Sequence, residues 1–105
     1  MNPYKISGKI IPQSEMDDIL NNIDLSEINE VSYNNLFQSF QIRFNGMSII
    51  SLNMSNNDCY IRYSHNPFSK EWGYRHGEKA IQFVKKLSTY IDDPTFHKVF
   101  TKYFN

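Results

Sequence analysis

LFQSFQIRFNGMSIISLNMSNNDCYIRY, residues 36–63, reads as a β-meander. Leu36, Phe40, Ile42 and Phe44 fall on one side of an extended chain, with Ser39, Gln41 and Arg43 on the other. That is the alternation of a half-buried strand. Asn45-Gly46 is the strongest short hairpin signal, and the length of its turn decides which side of the next strand faces the core. A two-residue turn would pair Ile42 with Ile49 and set Ile50 and Leu52 beside Gln41 and Ser39. A three-residue loop, with Gly46 in or near a bulge, keeps Ile50, Leu52 and Met54 on the face of Phe40 and Ile42. One residue of slip inverts every side chain, so the hydrophobic pattern selects the three-residue loop. Residues 55–58 then turn the chain into Cys59, Ile61 and Tyr63, which continue the apolar face. The opposite face carries Ser39, Gln41, Arg43, Ser51, Asn53, Tyr60 and Arg62, polar enough to meet water and aromatic enough to meet a partner.

Helical periodicity flanks the meander. Residues 4–11 alternate as a short strand, weakened by Gly8 and stopped by Pro12. Ser14 and Asp17 have the spacing of a capping box, and Met16, Ile19, Leu20 and Ile23 follow at helical intervals, predicting a helix over 15–23. Asp24 to Val31 is assigned at most another helical turn. Ala80, Ile81, Phe83, Val84, Leu87, Tyr90 and Ile91 form one apolar stripe, with Lys79, Lys85 and Lys86 outside it. Asp93-Pro94 is an N-cap followed by a helix-starting proline, and Phe96, Val99, Phe100, Tyr103 and Phe104 fit a last amphipathic helix. The order is β-α-β-β-β-α-α. It predicts an α+β domain over residues 1–105, a three- to four-stranded antiparallel sheet with helices packed on one face.

A chain of 105 residues, 40% hydrophobic, is long enough for one core without metal or disulfide support. Cys59, the single cysteine, excludes a disulfide framework and implies a reducing compartment. The opening MNPYKISGKIIPQ has no apolar h-region or small-residue cleavage site, and no stretch approaches the ~20 apolar residues of a membrane span. A cytoplasmic, membrane-free protein is expected.

Net charge is zero but segregated. Between Ile10 and Ile42 stand Glu15, Asp17, Asp18, Asp24, Glu27 and Glu30 without one Lys or Arg, and all eleven bases lie elsewhere. A neutral total argues against general nucleic-acid binding, which needs a basic surface. The concentrated carboxylates suit a partner with a basic surface, for which they supply steering and specificity.

SHNPFSKEWGYRHG, residues 64–77, is the stretch densest in chemistry. Asn66-Pro67 and Gly73 mark turns, so it reads as the connection between the last strand and the long helix. A small ribonuclease could draw on His65 and His76 with Lys70 or Arg75, but no spacing is diagnostic. Trp, Tyr and Arg are equally the residues of binding hot spots, which favours a recognition or structural loop. His65, His76 and His97 lack the close ligand spacing of a zinc site. The strand phase of Cys59 turns it to the core as a small hydrophobe. Phosphate-loop and nucleophile-elbow motifs do not occur in the chain, so neither catalytic residues nor a cofactor are assigned.

In size, in lack of a catalytic kit, and in the acidic helix of Glu15, Asp17 and Asp18 set beside a small sheet, the chain resembles the immunity proteins of bacterial toxin systems. Those of contact-dependent growth inhibition are the nearest in layout. The resemblance implies a non-enzymatic inhibitor that binds one cognate toxin domain, often a nuclease, and blocks its active site. The neutral total charge departs from the acidic balance common among nuclease inhibitors. On this reading Asp17, Asp18, Asp24, Glu27 and Glu30 supply the electrostatics, and Tyr60, Trp72 and Tyr74 the aromatic anchors. The alternatives are the small ribonuclease and an accessory domain that binds nucleic acid through Arg43, Arg62, Lys79, Lys85 and Lys86.

Overall fold

In the computed structural model, which describes residues 9–55, 58–65 and 71–104, the meander forms in the predicted register. Strand β3 (Ser39–Phe44) pairs with β4 (Ile49–Ser55), setting Ile42 opposite Ile50 and Phe40 opposite Leu52. The loop between them is closed by the Phe44 N–H donating to the Ser48 carbonyl at 2.9 Å and the Met47 N–H to the Phe44 carbonyl at 3.1 Å. The left-handed residue of this loop is Met47, at φ 68°, and not its glycine neighbour. Strand β5 (Asp58–Ser64) extends the apolar face with Cys59, Ile61 and Tyr63 opposite Met54, Leu52 and Ile50. Leu36 does not join that face. The Asn34 side-chain oxygen accepts the N–H groups of Leu36 and Phe37 at 3.0 and 3.1 Å, which holds the chain in a turn and leaves Leu36 exposed. Asn is a common turn former because its side chain can replace a backbone acceptor in this way.

Two strands lie where helix and loop were expected. One 3₁₀ turn (Leu25–Glu27) follows Asp24, and then the chain extends as β2 (Ile28–Asn34) along β3. Ile28, Val31 and Tyr33 pair with Phe44, Ile42 and Phe40, so β-branched and aromatic packing overrides the helical continuation. A register irregularity between Ile28 and Glu30 breaks the period of two, and this masked the strand in the sequence. Strand β6 (Glu71–His76) sits inside the stretch expected to be a connection. Gly73 is a strand residue there: a Cβ on it would come within 2.4 Å of the Met16 sulfur, so the glycine lets a helix approach the sheet. Strand β1 (Lys9–Ile10) pairs in parallel with β6; of the strand expected over 4–11, residues 4–8 lie outside the described residues and Ile11 falls just past the strand's end. Among the described residues the sheet therefore has six strands in the order β1-β6-β5-β4-β3-β2 and is mixed, which corrects the expected three or four antiparallel strands.

The helices cover one face. Helix α1 (Gln13–Asn22) crosses β6, α2 (Glu78–Leu87) covers β5 and β6, and α3 (Pro94–Phe104) meets β4. Met16, Leu20, Phe83, Val84, Leu87, Ile91 and Phe96 are buried against the strand residues Phe40, Ile42, Ile50, Leu52 and Ile61. The expected capping box of α1 is absent. Pro12 precedes the helix without a side-chain cap, and Asp17 turns away to Arg75. The cap of α3 forms as expected, the Asp93 carboxylate accepting the Phe96 N–H at 2.9 Å. Helix α2 stops at Leu87, where the Ser88 and Thr89 hydroxyls donate to the Lys85 and Lys86 carbonyls, and Tyr90 leaves the apolar stripe for solvent. Among the described residues, no helix is long and apolar enough to cross a membrane.

Candidate functional site

The sheet face opposite the three described helices is built from the outward residues of five paired strands, and their registers arrange them in three rows. Trp72, Ser64, Ile49 and Arg43 lie side by side in one. Tyr74, Arg62, Ser51, Gln41 and Ser32 form the next. His76, Tyr60, Asn53, Ser39 and Asn34 form the third. The second and third rows run from aromatic at β6 and β5 to small and polar at β4, β3 and β2.

At the aromatic end the Tyr74 ring centroid is 4.7 Å from that of Trp72, edge-on, and 5.1 Å from that of Tyr60. The Arg62 guanidinium lies 5.2 Å from the Trp72 centroid, a cation–π arrangement. Desolvation by these neighbours, and then the Tyr74 hydroxyl, raise the Tyr60 phenol pKa above its ordinary value. At the polar end Ser32, Asn34, Ser39, Gln41 and Ser51 line a shallow trough of about 430 Å³. The Arg43 guanidinium donates to the Gln41 side-chain oxygen at 3.2 Å. One corner of the face is closed by His76, whose Nε2 is 2.8 Å from Asp58 Oδ2. The Cys59 backbone N–H, and then the His76 ring, hold the Asp58 carboxyl below its usual pKa.

Three predicted anchors, Tyr60, Trp72 and Tyr74, thus meet on one surface, although a connecting loop had been expected to carry two of them. The signal was present as W-x-Y-x-H, a period of two over Trp72, Tyr74 and His76. The presumed turn at Gly73 concealed it. Arg62, assigned only to the nucleic-acid alternative, belongs to the same cluster.

The acidic residues do not meet there. Asp17 is largely buried and ion-paired, its Oδ1 2.8 Å from Arg75 Nε, while Arg75 also donates to Gln13 at 2.7 Å. Asp18 is exposed on α1, on the helix side of the sheet. Asp24 accepts the Ser26 hydroxyl at 2.6 Å and its N–H at 3.0 Å, bonds that lower its pKa and spend the carboxylate on capping the 3₁₀ turn. Glu27 is exposed in that turn, and Glu30 stands opposite Arg43 at the outer edge of the open face. The five carboxylates are dispersed over the helix layer, the 3₁₀ turn and a sheet edge.

The alternatives are dispersed as well. His65 lies beside the core-face residue Tyr63, 3.0 Å from its hydroxyl, whereas His76 lies on the open face opposite Tyr60. The two histidines are at opposite ends of the β5–β6 pair, separated by five residues of strand, roughly 16 Å. Lys70 lies outside the described residues, and Arg75 is engaged by Asp17 and Gln13. His97 is bonded to the Ile91 carbonyl on the helix layer. Arg43 and Arg62 are on the open face, while Lys79, Lys85 and Lys86 are on α2, across the sheet. Cys59 is buried as expected, and desolvation, with the Asp58 charge second, pushes its thiol up to about 12. Comparison with protein-family models, with curated proteins and with solved structures returns no match.

Proposed function

We propose that the chain is a non-enzymatic binding protein of the immunity type, acting in the cytoplasm, which holds a cognate protein toxin domain against the open face of its sheet. The observation that carries this reading is the cluster of Trp72, Tyr74, Tyr60 and Arg62 on a face that, among the described residues, no helix covers. Aromatic residues and Arg are the side chains that carry most binding energy, the rings because they remove large areas from water at small entropic cost. The trough beside them offers hydroxyls and amides for the polar rim that such an interface requires. Asp18 and Glu27, exposed away from that cluster, act on encounter with a basic partner more than on the bound contact.

The test is titration calorimetry of the purified chain against the product of the neighbouring gene. Trp72→Ala and Tyr74→Ala are each expected to cost about 2 kcal/mol or more, roughly thirtyfold in Kd. Asp18→Lys with Glu27→Lys should lower mainly the association rate, read by stopped-flow mixing. Equal affinity for wild type and both aromatic variants would remove the open face from the function. Retention of a single-stranded oligonucleotide, with steep salt dependence, would replace the protein partner by nucleic acid stacked on the same rings.

A further inference from the structure

Strand β2 is the last of the sheet, with β3 on one side and, among the described residues, no strand on the other. An outer edge of this kind presents unpaired N–H and C=O groups and is normally blunted by Lys, Pro or a bulge. Over Ile28–Asn34 there is neither Lys nor Pro, and the only charge is Glu30. The register irregularity is confined to the stretch between Ile28 and Glu30, so Val31 to Asn34 run as regular strand. Just past that end, Leu36 is 83% and Phe37 68% exposed.

We infer that β2 pairs antiparallel with β2 of a second copy of the chain, about a two-fold axis through Ser32. The side-chain chemistry selects the register. Glu30, Ser32 and Asn34 point to the open face, opposite Arg43, Gln41 and Ser39, and Val31 and Tyr33 point to the helix side, opposite Ile42 and Phe40. Centred on Ser32, Glu30 meets Asn34 of the second copy, and Val31 meets Tyr33. The Asn34 side-chain oxygen already accepts from Leu36 and Phe37, so its NH₂ is the end it offers a neighbour. That is the group a carboxylate accepts from. The Val31–Tyr33 contact is the β-branched–aromatic pair that stabilises antiparallel strands. Centring on Glu30 instead would set two carboxylates face to face, and centring on Val31 would leave Glu30 facing Ser32 and Tyr33 facing Asn29. The contact is isologous and closes at two copies. Its axis runs normal to the sheet, so both open faces lie on one side of a continuous surface.

Sedimentation equilibrium over roughly 1–100 μM, the range of ordinary self-association constants, tests this. Wild type should approach twice the monomer mass at the top of that range and fall towards the monomer on dilution. Asn34→Asp keeps an oxygen for the turn but places a carboxylate against Glu30, and should weaken the dimer at least about tenfold. Adding Glu30→Lys to Asn34→Asp should restore it, a rescue that damage to the monomer cannot mimic. Circular dichroism checks that each variant is folded. Wild type that stays monomeric at 100 μM, a dimer indifferent to Asn34→Asp, or failure of the charge-swapped pair to re-associate would each overturn the proposal.

Discussion

Met47 holds the left-handed conformation of the β3–β4 loop at φ 68°, although Gly46 is next to it and has open space around its Cβ position. For an L-residue that conformation costs roughly 1–2 kcal/mol, which glycine avoids at some cost in backbone entropy. Met47→Gly is therefore expected to raise stability by up to about 1 kcal/mol in urea unfolding. Gly46→Ala should leave it within about 0.5 kcal/mol. A loss in Gly46→Ala with no gain in Met47→Gly would mean that the loop adopts a two-residue turn with Gly46 left-handed. Asn-Gly announced the hairpin but did not specify which of its residues turns left-handed, because the loop length is set by pairing Ile42 with Ile50.

At the scale of elements, α1 is fixed to β6 by an apolar contact and an ion pair. Met16 sits over Gly73, and Asp17 and Gln13 grip Arg75. Both charged side chains are about three-quarters buried. Arg75→Ala leaves the Asp17 carboxylate partly desolvated and is expected to cost about 1–3 kcal/mol, read from the shift of the unfolding midpoint. No change would place α1 under the control of Met16 and Leu20 alone. A second fastening joins the start of β5 to the end of β6 through Asp58 and His76. Because the folded Asp58 carboxyl titrates below its unfolded value of 3.8, it binds its proton less readily in the fold. Its contribution is fully present above that value and is lost as pH falls through the folded pKa. Asp58→Asn should flatten the acid limb of the stability–pH curve, measured by thermal melts from neutral pH downward. An unchanged limb would assign acid sensitivity to other carboxylates.

At the scale of the molecule, one core joins all three helices to the sheet, and unfolding should be a single transition. Trp72, on the open face, and the far-UV helix signal should give coincident urea curves. A fluorescence change that precedes the helical one would mean that β6 and the aromatic face open separately. The charge division along the chain, six carboxylates before the first central arginine, does not become two charged faces. Folding pairs Asp17 with Arg75, directs Asp24 to a cap and carries Glu30 to the sheet edge beside the arginine face. The sequence by itself determined what depends on neighbours along the chain: the α+β class, the meander and its register, the buried phase of Cys59, and the α3 cap at Asp93. Period-two and helical patterns, turn residues and caps are local, and one slip would expose a whole apolar face. Only tertiary structure decided what depends on residues far apart in sequence. It made Val31 and Tyr33 a strand by setting them on Ile42 and Phe40, and made Gly73 a strand residue by passing Met16 over it. It also brought Tyr60 to Trp72 and Tyr74, because strand pairing places side chains by register, and register between distant segments is chosen by the packing of the whole core.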